Sequence, residues 1–136
     1  MSYGSIGKQA TQYLEIQVLA ATPGELMIMV YDHLLVQLLK AQRAHTSPEL
    51  TIRCDALEKA RAALGELQVT LDHDKGGPLA AQLASIYTFL LGELTTLGLR
   101  PEARRFEGIV RIVSELRGAF AQAAATTALA THAVPA

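Results

Sequence analysis

Residues 21–35 read ATPGELMIMVYDHLL, and the way this stretch starts and continues decides the fold. Thr22-Pro23-Gly24-Glu25 is a helix start. A Thr at the N-cap accepts an orphan N–H of the first turn. Pro is tolerated there because its missing N–H would go unbonded anyway, and a Glu three residues after the cap reaches back to the cap's own amide. Six apolar residues then follow without a break, Leu26 to Tyr31. A helix resting on one core needs one apolar side, so a helix that is apolar almost all round has to be covered twice.

The punctuation recurs along the chain. Ser47-Pro48-Glu49, Gly76-Gly77-Pro78 and Leu99-Arg100-Pro101-Glu102 each set a proline where a helix would begin, and the fifth proline is Pro135. From Pro23 to Pro101 the successive intervals are 25, 30 and 23 residues, each enough for a helix and a short connection. Apolar residues follow at steps of three and four: Leu57, Ala60, Leu64, Leu67 and Leu71, then Leu79, Leu83, Ile86, Leu90, Leu94 and Leu97, then Phe106, Ile109, Val113, Leu116 and Phe120. Those are seams of a bundle core. Nothing alternates as a strand would, and no internal repeat is visible. The expected fold is all-α, an antiparallel four-helix bundle over residues 22–121. An N-terminal strap or cap at 1–21, read as a short helix or strap, would precede it. A low-complexity tail at 122–136, ending AAATTALATHAVPA, would follow as a frayed extension.

Composition narrows the function. The 136 residues hold 12 Lys and Arg against 13 Asp and Glu, a net charge of -1, so no basic excess exists to neutralise a nucleic-acid backbone. The single cysteine, Cys54, forbids an internal disulfide and fits a reducing, cytoplasmic location. The first residues, MSYGSIGKQATQ, lack the apolar core of a secretory signal, and no apolar run approaches a membrane span, so no membrane insertion is expected. Glycine-rich phosphate loops, zinc spacings and nucleophile elbows are absent from the sequence. Asp72-His73-Asp74 reads as a solvated loop rather than a metal site, and Cys54 as a passive thiol on a helix flank. No catalytic residue, cofactor or metal is expected, and the chain does not read as an enzyme. Yet half of the residues are hydrophobic and only 18% are charged, so some apolar surface should face a partner.

A helical wheel locates that surface. Met27, Ile28, Val30, Tyr31, Leu34, Leu35, Leu38, Leu39 and Ala41 fill about half the circle and account for a core face. Leu26, Met29 and Val36, with His33 among them, form a second, narrower stripe between Glu25, Asp32, Lys40 and Arg43. On the third helix Phe89 stands apart from its leucine seam, among Gln82, Ser85, Gly92, Glu93 and Thr96. The N-terminal segment, a second copy of the chain in a homodimeric adaptor, or a separate partner could cover these residues. Methionine suits a surface that accepts a variable apolar ligand. A histidine phosphotransfer module is also a four-helix bundle with an exposed His in mid-helix, as His33 would be. The Lys and Gly that usually follow such a His are missing from Leu34-Leu35-Val36-Gln37.

Three blocks resemble the FliS family of flagellin-specific export chaperones. In YLEIQVLAATPGELMIMVYD, the residues Tyr13, Val18, Ala21, Thr22, Pro23, Glu25, Leu26, Met29, Tyr31 and Asp32 fall on the family pattern. ALEKARAALGELQVTLDHDKGG is similar to its Ala-rich helix ending at Leu71-Asp72 and Gly76-Gly77. LAAQLASIYTFLLGEL is similar to its leucine and tyrosine helix, with Tyr87 in place. With VRIVSELRGAF the resemblance runs from Tyr13 to about Ala121. It departs where the family usually has Gly after Tyr-Asp and this chain has His33, and where Phe89 replaces a common second Tyr. The resemblance implies a cytosolic helical bundle that binds the C-terminal region of flagellin, prevents premature polymerisation, and assists delivery to the flagellar type III export gate. It implies partner-binding roles for Tyr13, Leu26, Met29, His33, Val36 and Phe89, with the segment around Tyr13 able to lie over the client groove and move aside. No ATP site is visible, so release would not be powered by this chain.

Overall fold

The computed structural model describes residues 3–132, with side chains described at 7–13, 15–16 and 20–126. The side chain of Val18 and residues 133–136 of the expected tail therefore lie outside what is described. Among the described residues all regular structure is helical: α1 (Tyr3–Ala20), α2 (Pro23–Arg43), α3 (Leu50–Val69), α4 (His73–Leu99) and α5 (Ala103–His132). The capping box forms as expected. Thr22 Oγ1 accepts the Glu25 N–H at 3.2 Å, and Glu25 Oε2 accepts the Thr22 N–H at 3.4 Å.

The other helix starts differ from their proline positions. At α3 the cap is Glu49, and Ser47 instead closes the preceding turn by accepting the Glu49 N–H at 3.2 Å. At α4 the sequence predicts a loop up to Gly77, but Asp72 caps a first turn by accepting from the Asp74 and Lys75 N–H groups at 3.1 and 3.0 Å. Gly77 then breaks the helix at φ 52°, ψ -128°, a conformation open only to glycine, and Pro78 restarts it. At the other end α5 does not stop near Gln122 but continues to His132, as an alanine run of high helix propensity allows. The position of a Cβ on Gly24 would lie 3.8 Å from Ala124 Cβ, so this extension reaches the first turn of α2.

Four helices close a ring. α2 packs on α3 and α5, and α4 packs on the same two, with α2–α3 the most extensive interface and α4–α5 the slightest. Along α2 and α5 the contacts run in opposite order: Asp32 meets Arg117, whereas His45, just past α2, meets Phe106. Among the described residues α1 shares no extensive interface with any of the four.

The core is built from the expected seams. Leu57, Ala60, Leu64 and Leu67 of α3, Leu83, Leu90, Leu94 and Leu97 of α4, and Phe106, Ile109 and Val113 of α5 are buried together. Two expected members are exposed, Leu39 and Leu79. Leu79 lies in the first turn after the kink, and Gln68 near the end of α3 bonds Thr88, ten residues past Pro78. α3 has therefore ended before the level of Leu79. At the centre, Tyr31 and Tyr87, both fully buried, join their hydroxyls at 2.6 Å, and Tyr31 stacks on Phe120 with ring centroids 5.5 Å apart. Burial raises both phenol pKa values above the usual tyrosine range.

Two outcomes follow from this pair. Tyr31→Phe leaves the Tyr87 hydroxyl buried without its partner and should lower unfolding free energy by about 1–3 kcal/mol, while Tyr31→Phe/Tyr87→Phe should cost less than the two single changes summed. Urea titrations of the four proteins give both numbers. Above pH ~10 an unfolded tyrosine loses its proton while the buried pair keeps its own, so the native state binds more protons and stability falls as pH rises from there. Thermal melts should show this alkaline slope in the wild type and a shallower one in the double variant.

Candidate partner-binding surface on α2 and α3

The spacing i, i+3, i+7, i+10 places Leu26, Met29, His33 and Val36 along one line of α2, on the side turned from the core. Val36 is 49% exposed, Leu26 and His33 are exposed, and Met29 is half-buried. His33 makes no hydrogen bond or ion pair among the described residues. Beside this line, on the α5 side, Asp32 forms an ion pair with Arg117 at 2.9 Å, and the carboxylate raises the guanidinium pKa further above its usual range.

The line borders an apolar hollow of about 750 Å³ between the start of α2 and the end of α3. Pro23, Leu26, Met27 and Val30 form one wall, and Gly65, Glu66, Leu67, Val69 and Thr70 form the other. Val69 is 86% exposed at its rim. Met27 and Val30 pack on the core and also line the hollow, so the core face and the outer stripe meet there. Gly65 keeps the opposite wall open, since nothing lies within 4 Å of where its Cβ would be.

The structure joins some of the expected residues and separates others. Leu26 enters the hollow. Met29 lines a smaller recess of about 310 Å³ with Ala20, Ala21 and Glu25, beneath the end of α1. Tyr13 is 63% exposed on α1, which among the described residues has no extensive interface with the ring. Phe89 is 55% exposed, but α4 stands diagonally across the ring from α2. Tyr87 of α4 points inward to Tyr31, and a residue two further on projects roughly opposite, so Phe89 lies on the far side of the bundle from Leu26 and Val36. Val69, with Gly65 and Thr70, is the addition that the sequence reading missed. Its signal was present: an apolar residue off the Leu57–Leu71 seam, as Leu26 is off the α2 seam.

Chemically the surface offers dispersion contacts and very few polar groups. Among the described residues no group of three His, Cys, Asp or Glu side chains could hold a metal, and no helix is long and apolar enough to cross a membrane. Cys54 is exposed and free. The molecule is thus an all-helical module with an apolar hollow at its surface.

The comparisons give that module its family. A solved structure described as the crystal structure of a flagellar chaperone from bacteria superposes with a TM-score of 0.72, covering 88% of this chain and 97% of the other at 18% identity, which shows a common fold. The family model for flagellar protein FliS matches residues 6–127, and the chain belongs to the FliS family. It is 27% identical over 110 residues to the flagellar secretion chaperone FliS of Salmonella typhimurium, covering 80% of this chain and 82% of that one. It is 26% identical over 113 residues to FliS of Bacillus subtilis, covering 83% and 84%. FliS is a family of chaperones rather than enzymes, and this chain is a flagellar export chaperone.

Met29→Asp/Val36→Asp should leave the far-ultraviolet circular dichroism and the melting cooperativity of the protein unchanged, because both side chains stand on the outer line of α2. Loss of helicity in that variant would place them in the core.

Proposed function

We propose that the chain binds the C-terminal region of flagellin, keeps it from polymerising before export, and assists its delivery to the flagellar type III export apparatus. The apolar hollow between α2 and α3, continuous with the Leu26–Val36 line, carries this reading. It has the apolar character of a groove for one side of an amphipathic helix. The order of contacts along α2 and α5 supports reading the ring as an antiparallel four-helix bundle over residues 22–121. In this reading α1 serves as a movable cap, residues 122–136 serve as an extension, and the protein works in the cytosol. Leu26, Met29, His33 and Val36 form the first contact surface. Tyr13 and Phe89 would meet the client only where it wraps beyond that surface. The export gate is the destination of the complex, and a homodimer closed through Phe89 is a competing use of the far face.

Calorimetry with a peptide from the flagellin C-terminal region is the test. Sub-micromolar binding with a large negative heat-capacity change is expected, because an unfolded chain is ordered on an apolar surface. Leu26→Asp/Val69→Asp should reduce affinity by about a hundredfold or more while the bundle stays folded. Undiminished binding in that variant would move the client to another face. Light scattering across a concentration series separates a client-binding monomer from a dimer.

A further inference from the structure

The α2–α3 seam carries a second hollow of about 590 Å³, at the end of α2 and the start of α3. Gln37, Lys40, Arg43, Ser47, Thr51 and Asp55 lie around it. Gln37 is the unusual member. It is 5% exposed, yet its amide has no hydrogen-bond partner among the described residues, and it forms part of the hollow's wall. The amide atoms themselves keep some accessible surface, so the unpaired group opens into the hollow and is reachable by a ligand atom.

The surrounding chemistry fixes the sign of that ligand. Lys40 and Arg43 make no ion pair among the described residues. Asp55, the one carboxylate in the wall, pairs with Lys59 at 3.1 Å on the exposed surface. α3 begins here without a side-chain cap, so its first N–H groups are free and carry the positive end of the helix dipole. The opposing carbonyls of Lys40 and Gln42 at the end of α2 are already met by Ala44 N–H and by His45. The available groups are donors and cations, so the fitting occupant is an anionic acceptor. Ile52 and Ala56 add apolar wall, which suits a carboxylate on a methylene stem better than a bare inorganic anion.

We propose that this hollow seats an Asp or Glu side chain of the client polypeptide. The seam is then a two-point docking strip, with an apolar anchor at Leu26 and Val69 and an acidic anchor at Gln37, Lys40 and Arg43. Leu26 and Lys40 are fourteen residues apart on α2, about 21 Å along its axis, so a client helix of roughly four turns spans both. This rests on the reading that the client lies along α2 and α3.

The test uses the full chain and two probes: the flagellin C-terminal peptide, and the same peptide amidated at its C-terminus with every Asp and Glu changed to Asn and Gln. Nuclear magnetic resonance follows the Gln37 side-chain amide, and calorimetry follows affinity. The intact peptide should shift the Gln37 amide signals and bind roughly tenfold or more tightly than its uncharged form at low salt. Lys40→Gln/Arg43→Gln, with both side chains exposed and the fold checked by circular dichroism, should abolish that difference. Equal affinity of the two peptides, with Gln37 unmoved while the backbone signals of Leu26 and Val69 shift, would overturn the acidic anchor and leave the client reading intact. Inorganic phosphate shifting Gln37 as strongly as the peptide does would overturn it in favour of a free-anion site. Failure of both peptides to bind the wild type would overturn the client reading itself.

Discussion

The hydroxyl pair of Tyr31 and Tyr87 at 2.6 Å joins α2 to α4 through the centre of the core. α2 and α4 are diagonal members of the ring and meet through little else, so this bond ties the two pairs of neighbouring helices across the core. A phenol can be fully buried only if its O–H is satisfied, and each of these satisfies the other. That requirement fixes the rotation of both helices about their own axes. Once Tyr31 points at α4, Asp32 is carried to the α5 side, where Arg117 meets it, and Leu26, Met29 and Val36 are carried outward. The exposure of the stripe thus follows from the buried face that Tyr31 shares with Leu34, Leu38 and Ala41.

This explains a division of labour within residues 21–36. Thr22, Pro23 and Glu25 start the helix, Tyr31 sets its rotation, and Asp32 fastens it to α5. These are among the residues on which the family resemblance rests, and they act on the scaffold. The residues proposed for partner contact, Leu26, Met29, Val36 and Val69, do no comparable work in the core. Pro23, Met27 and Val30 belong to both sets, which is why the hollow opens where α2 begins.

Most of the fold was legible because periodicity and helix-start chemistry report it directly. The seams of α3, α4 and α5 and the capping box at Thr22 emerged from spacing alone, whereas helix starts slipped wherever proline was not the first helical residue. Asp72 capped a turn that Gly76 and Gly77 made look like a loop, and Ser47 served a turn ahead of the helix. The site was legible by halves. The outer line of α2 follows from a single wheel, but the far wall of the hollow belongs to α3, and no wheel shows which helix lies beside which. For the same reason Phe89, sound as an exposed aromatic, could not be recognised as facing the other way. Gln37 was invisible because a polar residue in an amphipathic helix reads as solvated, and only packing reveals one that is buried.

Energetics argue that the outer line alone is too weak to hold a client. Fully burying one such apolar side chain contributes about 1.5–3 kcal/mol, and Leu26, Met29 and Val36 are already partly covered, so their combined gain is roughly 3–5 kcal/mol. Ordering an unfolded segment costs about 2–5 kcal/mol, which offsets most of that gain. On the proposed reading, net affinity therefore comes from the hollow, where Met27, Val30, Leu67 and Val69 add further apolar contact, and from polar contacts along the same seam. A surface assembled from several modest anchors also suits a chaperone, because displacing one anchor weakens the remainder. On the proposed reading, release then requires only a competing surface for part of the client, not the disruption of a single tight pocket.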